Sequence, residues 1–150
     1  MGYLTAFKIG SSALKAQQLR LDIISNNIAN AETTRTEAGG PYQRQDVVFK
    51  AKEETAPIGR LVTEGTGLNT SLTNLNGVQV SQIVTDTSPG TTVYDPTHPD
   101  ADENGYVTYP NVNMVVEMTN MLSATRSYEA NLSVVDAART MAQRALEIGK

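Results

Sequence analysis

The densest run of potential ligands in the chain is Asp100-Ala101-Asp102-Glu103-Asn104-Gly105. It matches the opening of a calcium loop, D-x-D-x-N-G, in which alternate oxygen ligands and a turn glycine wrap a hard cation. The match stops there. The twelfth position, which must supply a bidentate carboxylate, is Asn111, and Asp95-Pro96-Thr97-His98-Pro99 cannot form the entering helix. The run reads as an acidic surface turn rather than a metal site. His98 stands between two prolines beside Asp95 and Asp100, so a His–Asp pair could serve as a base and its orienter. No activated nucleophile accompanies it, and a structural histidine in a Pro-stiffened loop is the simpler reading. Gly39-Gly40-Pro41 lacks a following Gly-Lys-Ser/Thr and reads as a turn into a strand. Met114, Met118 and Met121 could line an adaptable groove, but their heptad spacing favours a helix-packing role. No set of residues supplies a nucleophile, a base and an oxyanion site together, so the expectation is a non-enzyme without cofactor or metal.

Composition narrows the field further. Twelve Lys plus Arg against 16 Asp plus Glu give a net charge of -4, with no basic cluster for nucleic acid or an anionic membrane. The absence of cysteine removes disulfides, zinc–thiolate sites, iron–sulfur clusters and thiol nucleophiles. No segment approaches the roughly 18–20 apolar residues of a membrane span. Lys8, Gly10, Ser11, Ser12 and Lys15 interrupt every apolar run of the first twenty residues, so no signal-peptide core is expected. Two Phe and six Tyr are few for the core of one compact globule. Much of the burial is therefore expected between chains.

The elements that would carry such burial lie at the two ends. Residues 1–34 are helical in pattern, 35–110 hold all six prolines and read as short strands and loops, and 111–150 are helical again. The N-terminal zone repeats Phe7, Leu14, Leu21 and Ile28 at heptad spacing, with Leu4 and Ile24 one turn away. Gly10-Ser11-Ser12 is its weak point, where a bend or a late start at Ser12 is expected. The helix should stop near Asn30, with Asn26, Asn27 and Asn30 offering either capping or cross-helix bonds. In the C-terminal zone one row reads Met114, Met121, Tyr128, Val135 and Ala142; a second reads Met118, Thr125, Leu132, Arg139 and Leu146. Interleaved by three and four, they form a coiled-coil seam. Asn111 or Asn113 is the expected N-cap, and Arg139, Arg144 and Lys150 lie toward the C-terminus, where cations suit the dipole. At about 1.5 Å per residue the rod from Asn113 to Ile148 is ~54 Å long, against ~39 Å for Thr5 to Asn30. A seam longer than its partner needs further partners. Between the helices, strands are expected within 42–52, at Val78 to Val84 as one strand or a pair, and at 91–94 and 106–109. Residues 53–76 read as a surface excursion.

Two motifs carry a family resemblance. Ser25-Asn26-Asn27-Ile28-Ala29-Asn30 followed by Thr33-Thr34 resembles the N-terminal signature of the bacterial flagellar axial proteins, the rod and hook subunits. Tyr128-Glu129-Ala130-Asn131, preceded by Met121-Leu122-Ser123-Ala124-Thr125-Arg126, resembles their C-terminal signature. Gly39-Gly40-Pro41-Tyr42, the run from Tyr94 to Val107 and Pro110-Asn111-Val112-Asn113 narrow the likeness to subunits of the proximal rod. Residues 53–76 lie outside the likeness and look longer than in a typical member.

The resemblance implies an α+β fold: long terminal helices packed as a coiled-coil-like pair, with a small irregular β region between them. It implies a structural subunit polymerising into the axial tube that crosses the periplasm and transmits torque. Its partners would be copies of itself, other rod proteins and the flagellar type III export apparatus. Export would need no cleaved signal, and no nucleic acid, small-molecule substrate or membrane embedding is expected. Carried over residue by residue, Asn26, Asn27, Ile28, Ala29 and Asn30 mark one interface, and Tyr128, Glu129, Ala130 and Asn131 the other. Leu14, Leu21, Leu132 and Val135 are seam residues by spacing alone, as is Met121. Two other readings compete: a self-associating coiled-coil adaptor with a β head, and a calcium-dependent binding module.

Overall fold

The computed structural model describes residues 2–52 and 77–148. Two long helices, α1 (Gly2–Ala29) and α2 (Met114–Ile148), flank four short strands: β1 (Gln45–Ala51), β2 (Val78–Thr85), β3 (Thr92–Tyr94) and β4 (Tyr106–Thr108). The fold is α+β, with the terminal helices packed on each other and a small antiparallel β region between them in sequence.

The helix ends follow their capping chemistry. Asn113 is the N-cap of α2: its Oδ1 accepts the Val115 and Val116 N–H groups at 3.0 and 3.2 Å. Asn30 closes α1 by donating its Nδ2 to the Asn26 carbonyl at 2.9 Å, so it caps rather than reaching across to α2. Among the described residues the last turn of α2 holds no basic residue, and Arg139 and Arg144 fall short of the dipole's end.

α1 runs unbroken through Gly10-Ser11-Ser12, against the expected bend or late start. Close packing explains the glycine. Gly10 is buried, and a Cβ there would lie 2.6 Å from Val135 Cγ2 of α2. The two serines donate back into the preceding turn, Ser11 to the Lys8 carbonyl and Ser12 to that of Ile9. Ser12 Oγ also accepts the Val78 N–H at 3.1 Å, which ties α1 to the start of β2.

The middle zone forms two separate two-stranded ribbons. β1 and β2 are antiparallel. Val48 faces Gln82 and Phe49 faces Val80, so Ser81 is the extra residue of a bulge. Val78 to Val84 is thus one bulged strand, not a pair. The ribbon lies on α1, turning Val47 and Phe49 inward, with the Arg20 guanidinium 5.9 Å from the Phe49 ring centre. The β3–β4 ribbon buries Val107 and packs Tyr94 edge-on against Tyr106. Gly39 and Gly40 take φ of +85° and +77° in the turn before β1, a left-handed conformation that a side chain resists. The excursion expected at 53–76 lies outside the described residues.

Among the described residues the interior is slight: its buried apolar side chains are Ala16, Ile24, Val107, Pro110, Ala124 and Ala138, three of them alanines that remove little apolar area from water. Large side chains instead face outward along α2: Val115 is 73% exposed, Leu122 55% and Leu146 75%.

Candidate functional site: the helical seam and its polar node

α2 packs against α1 and against none of the strands. Its buried and half-buried positions include Glu117, Met121, Ala124, Tyr128, Asn131, Val135, Ala138 and Ala142, in alternating steps of four and three. Of the expected row, Met121, Tyr128, Val135 and Ala142 are in this seam, whereas Met114, at the start of α2, is 40% exposed. The second expected row is displaced by one residue. Glu117, Ala124, Asn131 and Ala138 face inward, while Met118, Leu132, Arg139 and Leu146 are exposed and Thr125 is half-buried. Small residues let the two backbones approach closely, as at Gly10; the larger aliphatic row does not fit between them. Hydrophobicity marked Leu132 as a seam residue, but it stands on the outer flank, 42% exposed.

The other motif residues divide the same way. Asn27 is fully buried, whereas Asn26, Ala29 and Glu129 are exposed and Leu14, Leu21, Ile28 and Asn30 are half-buried. Asn131 donates to the Ser127 carbonyl of its own helix at 2.8 Å.

One end of the seam is closed by a polar node. Asn27 Nδ2 donates to Glu117 Oε2 at 3.1 Å and to the Gln45 carbonyl at 2.7 Å. Its Oδ1 accepts from the Tyr42 hydroxyl at 2.9 Å and from the Gln45 N–H at 3.0 Å. Both donors and both lone pairs of the amide are used. Glu117, also fully buried, accepts the Arg44 Nε–H at 2.9 Å on its Oε1. The Arg44 backbone is itself held: its N–H donates to Asn111 Oδ1 at 3.0 Å and its carbonyl accepts the Asp86 N–H at 2.8 Å. Partial burial disfavours the Arg44 charge. The hydrogen bond and charge of Glu117, with Asp46 behind them, outweigh it and hold the guanidinium above its ordinary value. Burial, and then the Glu117 charge, push the Tyr42 phenol above its usual 10.

Sequence reading missed Glu117 and Arg44. The signal for Glu117 was its phase: it sits four residues before Met121 and seven before Ala124, on the seam lattice where a carboxylate needs a partner. Arg44 carried no such signal, because only the folded loop brings it to the helices.

The acidic turn is engaged internally. Asp100 Oδ2 accepts the Thr34 hydroxyl at 2.7 Å, and its Oδ1 lies 3.8 Å from Arg35. Asp102 Oδ1 accepts the Asn104 and Tyr106 N–H groups. Among the described residues no three His, Cys, Asp or Glu converge as metal ligands. His98 Nδ1 accepts the Asp100 N–H at 3.1 Å, a structural bond within its loop. Among them, too, no helix is long and apolar enough to cross a membrane.

A meagre interior, a long helix with aliphatics turned outward and a seam keyed at one end describe an assembly subunit. The family models agree. Residues 7–35 match the "Flagella basal body rod protein" model, and residues 103–148 match the "Flagellar basal body rod FlgEFG protein C-terminal" model. These place the chain among the structural rod proteins of the flagellar basal body. Three curated relatives narrow this, each named flagellar basal-body rod protein FlgC. The Borreliella burgdorferi protein is 43% identical, over 99% of this chain and 98% of its own length. That of Bacillus subtilis is 44% identical, over 98% and 100%. That of Salmonella typhimurium is 38% identical over the whole of both chains. The chain belongs to the FlgC family.

Proposed function

We propose that this chain is a subunit of the proximal rod and polymerises through its terminal helices into the torque-transmitting axial tube. The carrying observation is the outer face of α2. Val115, Met118, Leu122, Leu132, Val134 and Met141 are each more than two-fifths exposed on a helix whose one neighbouring element among the described residues is α1. Apolar surface spread along a whole helix calls for partners. A head-to-tail contact between unlike faces builds an open helical assembly rather than a closed dimer. The partners are copies of this chain and other rod proteins. Delivery is by the flagellar type III export apparatus, without a cleaved signal peptide. Leu14, Leu21, Asn26, Ile28, Ala29, Asn30, Glu129 and Leu132 belong to contacts between subunits; Asn27, Met121, Tyr128, Asn131 and Val135 belong to the seam within one subunit.

The test is Leu132→Asp in a strain lacking the wild-type chain. The expected result is a folded middle β region, no incorporation into basal bodies and no motility. Motile cells carrying this variant would refute the assignment.

A further inference from the structure

The seam is uneven along its length. Away from the node it is lined by Gly10, Ala16, Ala124, Ala138 and Ala142, with Val135 seated over Gly10. Small side chains interlock shallowly. Sliding α2 along α1 by a heptad would exchange most alanine contacts for similar ones, and among these contacts the seat of Val135 over Gly10 resists it by steric fit alone. The node is different in kind. Asn27 and Glu117 are fully buried, and Arg44 and Gln45 reach them from a segment held to Asp86 and Asn111. Only one axial offset of the two helices satisfies the amide, the carboxylate and the guanidinium together. Any slip leaves a charge and an amide buried without partners.

We infer that the Asn27–Glu117–Arg44 node is a register lock: it fixes the axial offset of α2 on α1, and with it the level at which α2 presents its outer apolar residues. The last clause rests on the rod reading; the offset itself does not. A buried polar contact at one end of a helix pair lined largely by small residues sets register at little gain in stability. The same contact ties the offset to the β1–β2 ribbon, because Asn27 bonds both the N–H and the carbonyl of Gln45, the first residue of β1. Movement of the ribbon against α1 and movement of α2 along α1 are therefore coupled.

The chain has no cysteine, so an engineered pair reads the offset directly. A Cβ at Gly10 lies 3.9 Å from Val135 Cβ, within the ~3.5–4.5 Å of a disulfide. Replacing Val135 also removes the methyl that Gly10 avoids. Full-length Gly10→Cys/Val135→Cys should close an intramolecular disulfide under mild oxidation. Adding Arg44→Met/Glu117→Leu removes the ion pair with apolar side chains of similar length and leaves Asn27 bonded to Gln45 and Tyr42. The helices should persist by circular dichroism while the initial rate of disulfide closure falls roughly ten-fold. Adding Arg44→Lys instead, which keeps a cation able to donate to Glu117 and leaves the Asn27–Glu117 bond in place, should leave closure near its starting rate. Unchanged closure in the apolar variant overturns the lock, as does loss of its helices, which would make the node a general prop for the fold. Slow closure with Arg44→Lys also contradicts it. The Arg44→Met/Glu117→Leu change is then made in the natural chain and followed into basal bodies. If register is lost but rods still form, the lock stands and the rod reading of the outer face falls.

Discussion

The two faces of α2 reverse the usual order of a surface helix. The face against α1 carries a buried carboxylate, an asparagine and three alanines beside Met121, Tyr128 and Val135; the opposite face carries valine, leucine and methionine in the open. In a self-sufficient domain the apolar stripe turns inward because the core is the only place to remove it from water. Here the inner face is shaped for close approach and for one offset, and the outer face leaves large apolar side chains in water. The inner contact therefore decides geometry, and contacts made later, between chains, supply the stabilisation that the lone chain lacks.

Substitutions on the two faces should separate these roles, beginning with the largest loss of stability. Glu117→Ala strands Arg44 and leaves the Asn27 amide short of an acceptor. Arg44 retains some solvent and Asp46, so a loss of about 3 kcal/mol, at the low end for a broken buried pair, is expected in urea unfolding. Gly10→Ala drives a Cβ into Val135. The overpacking cost of ~1–3 kcal/mol exceeds the helix-propensity gain of about 1 kcal/mol only if Val135 cannot move. We expect net destabilisation by thermal melting, reversed in Gly10→Ala/Val135→Ala. Asn113→Ala removes the cap of α2 and should cost about 1 kcal/mol, seen first as fraying of residues 114–117 in amide exchange. Tyr42→Phe should have a pH-dependent effect. The neutral phenol is favoured in the fold, so its contribution is complete below pH 10, its usual value, and fades as pH rises through the raised one. The stability gap between wild type and Tyr42→Phe should accordingly narrow only in strong alkali. Outer-face changes such as Leu122→Asp should move stability by less than about 0.5 kcal/mol yet abolish assembly. That contrast between a trivial effect on the chain and a total one on the rod is what the inverted helix requires.

Much of the architecture could be read from the residues alone because it is locally encoded. Pro110 followed by Asn113 announced α2, Asn26 to Asn30 announced the end of α1, and alternation with flanking turns located the four strands. The row Met121, Tyr128, Val135 and Ala142 was legible for the same reason: heptad spacing does not depend on what lies opposite. The phase of the second row was not. Met118, Thr125 and Leu132 are the more apolar choice over Glu117, Ala124 and Asn131, and hydrophobicity reports that a side chain will be buried without saying by which chain. Gly10 was misjudged because its cost in a helix is intrinsic, whereas its use depends on Val135, 125 positions away. The node was invisible for a related reason: Asn27, Arg44 and Glu117 are assembled by tertiary structure from three separate segments.

The methionines allow the central claim to be measured directly. Met118 and Met141 stand on the outer face of α2, 53% and 57% exposed, while Met121 lies half-buried in the seam. Oxidation by dilute peroxide, read by mass spectrometry, should reach Met118 and Met141 readily in the isolated chain and leave Met121 slower. In purified basal bodies Met118 and Met141 should become protected to the level of Met121. Oxidation of both at the same rate, free and assembled, would mean that the outer face meets no neighbour, contrary to this account.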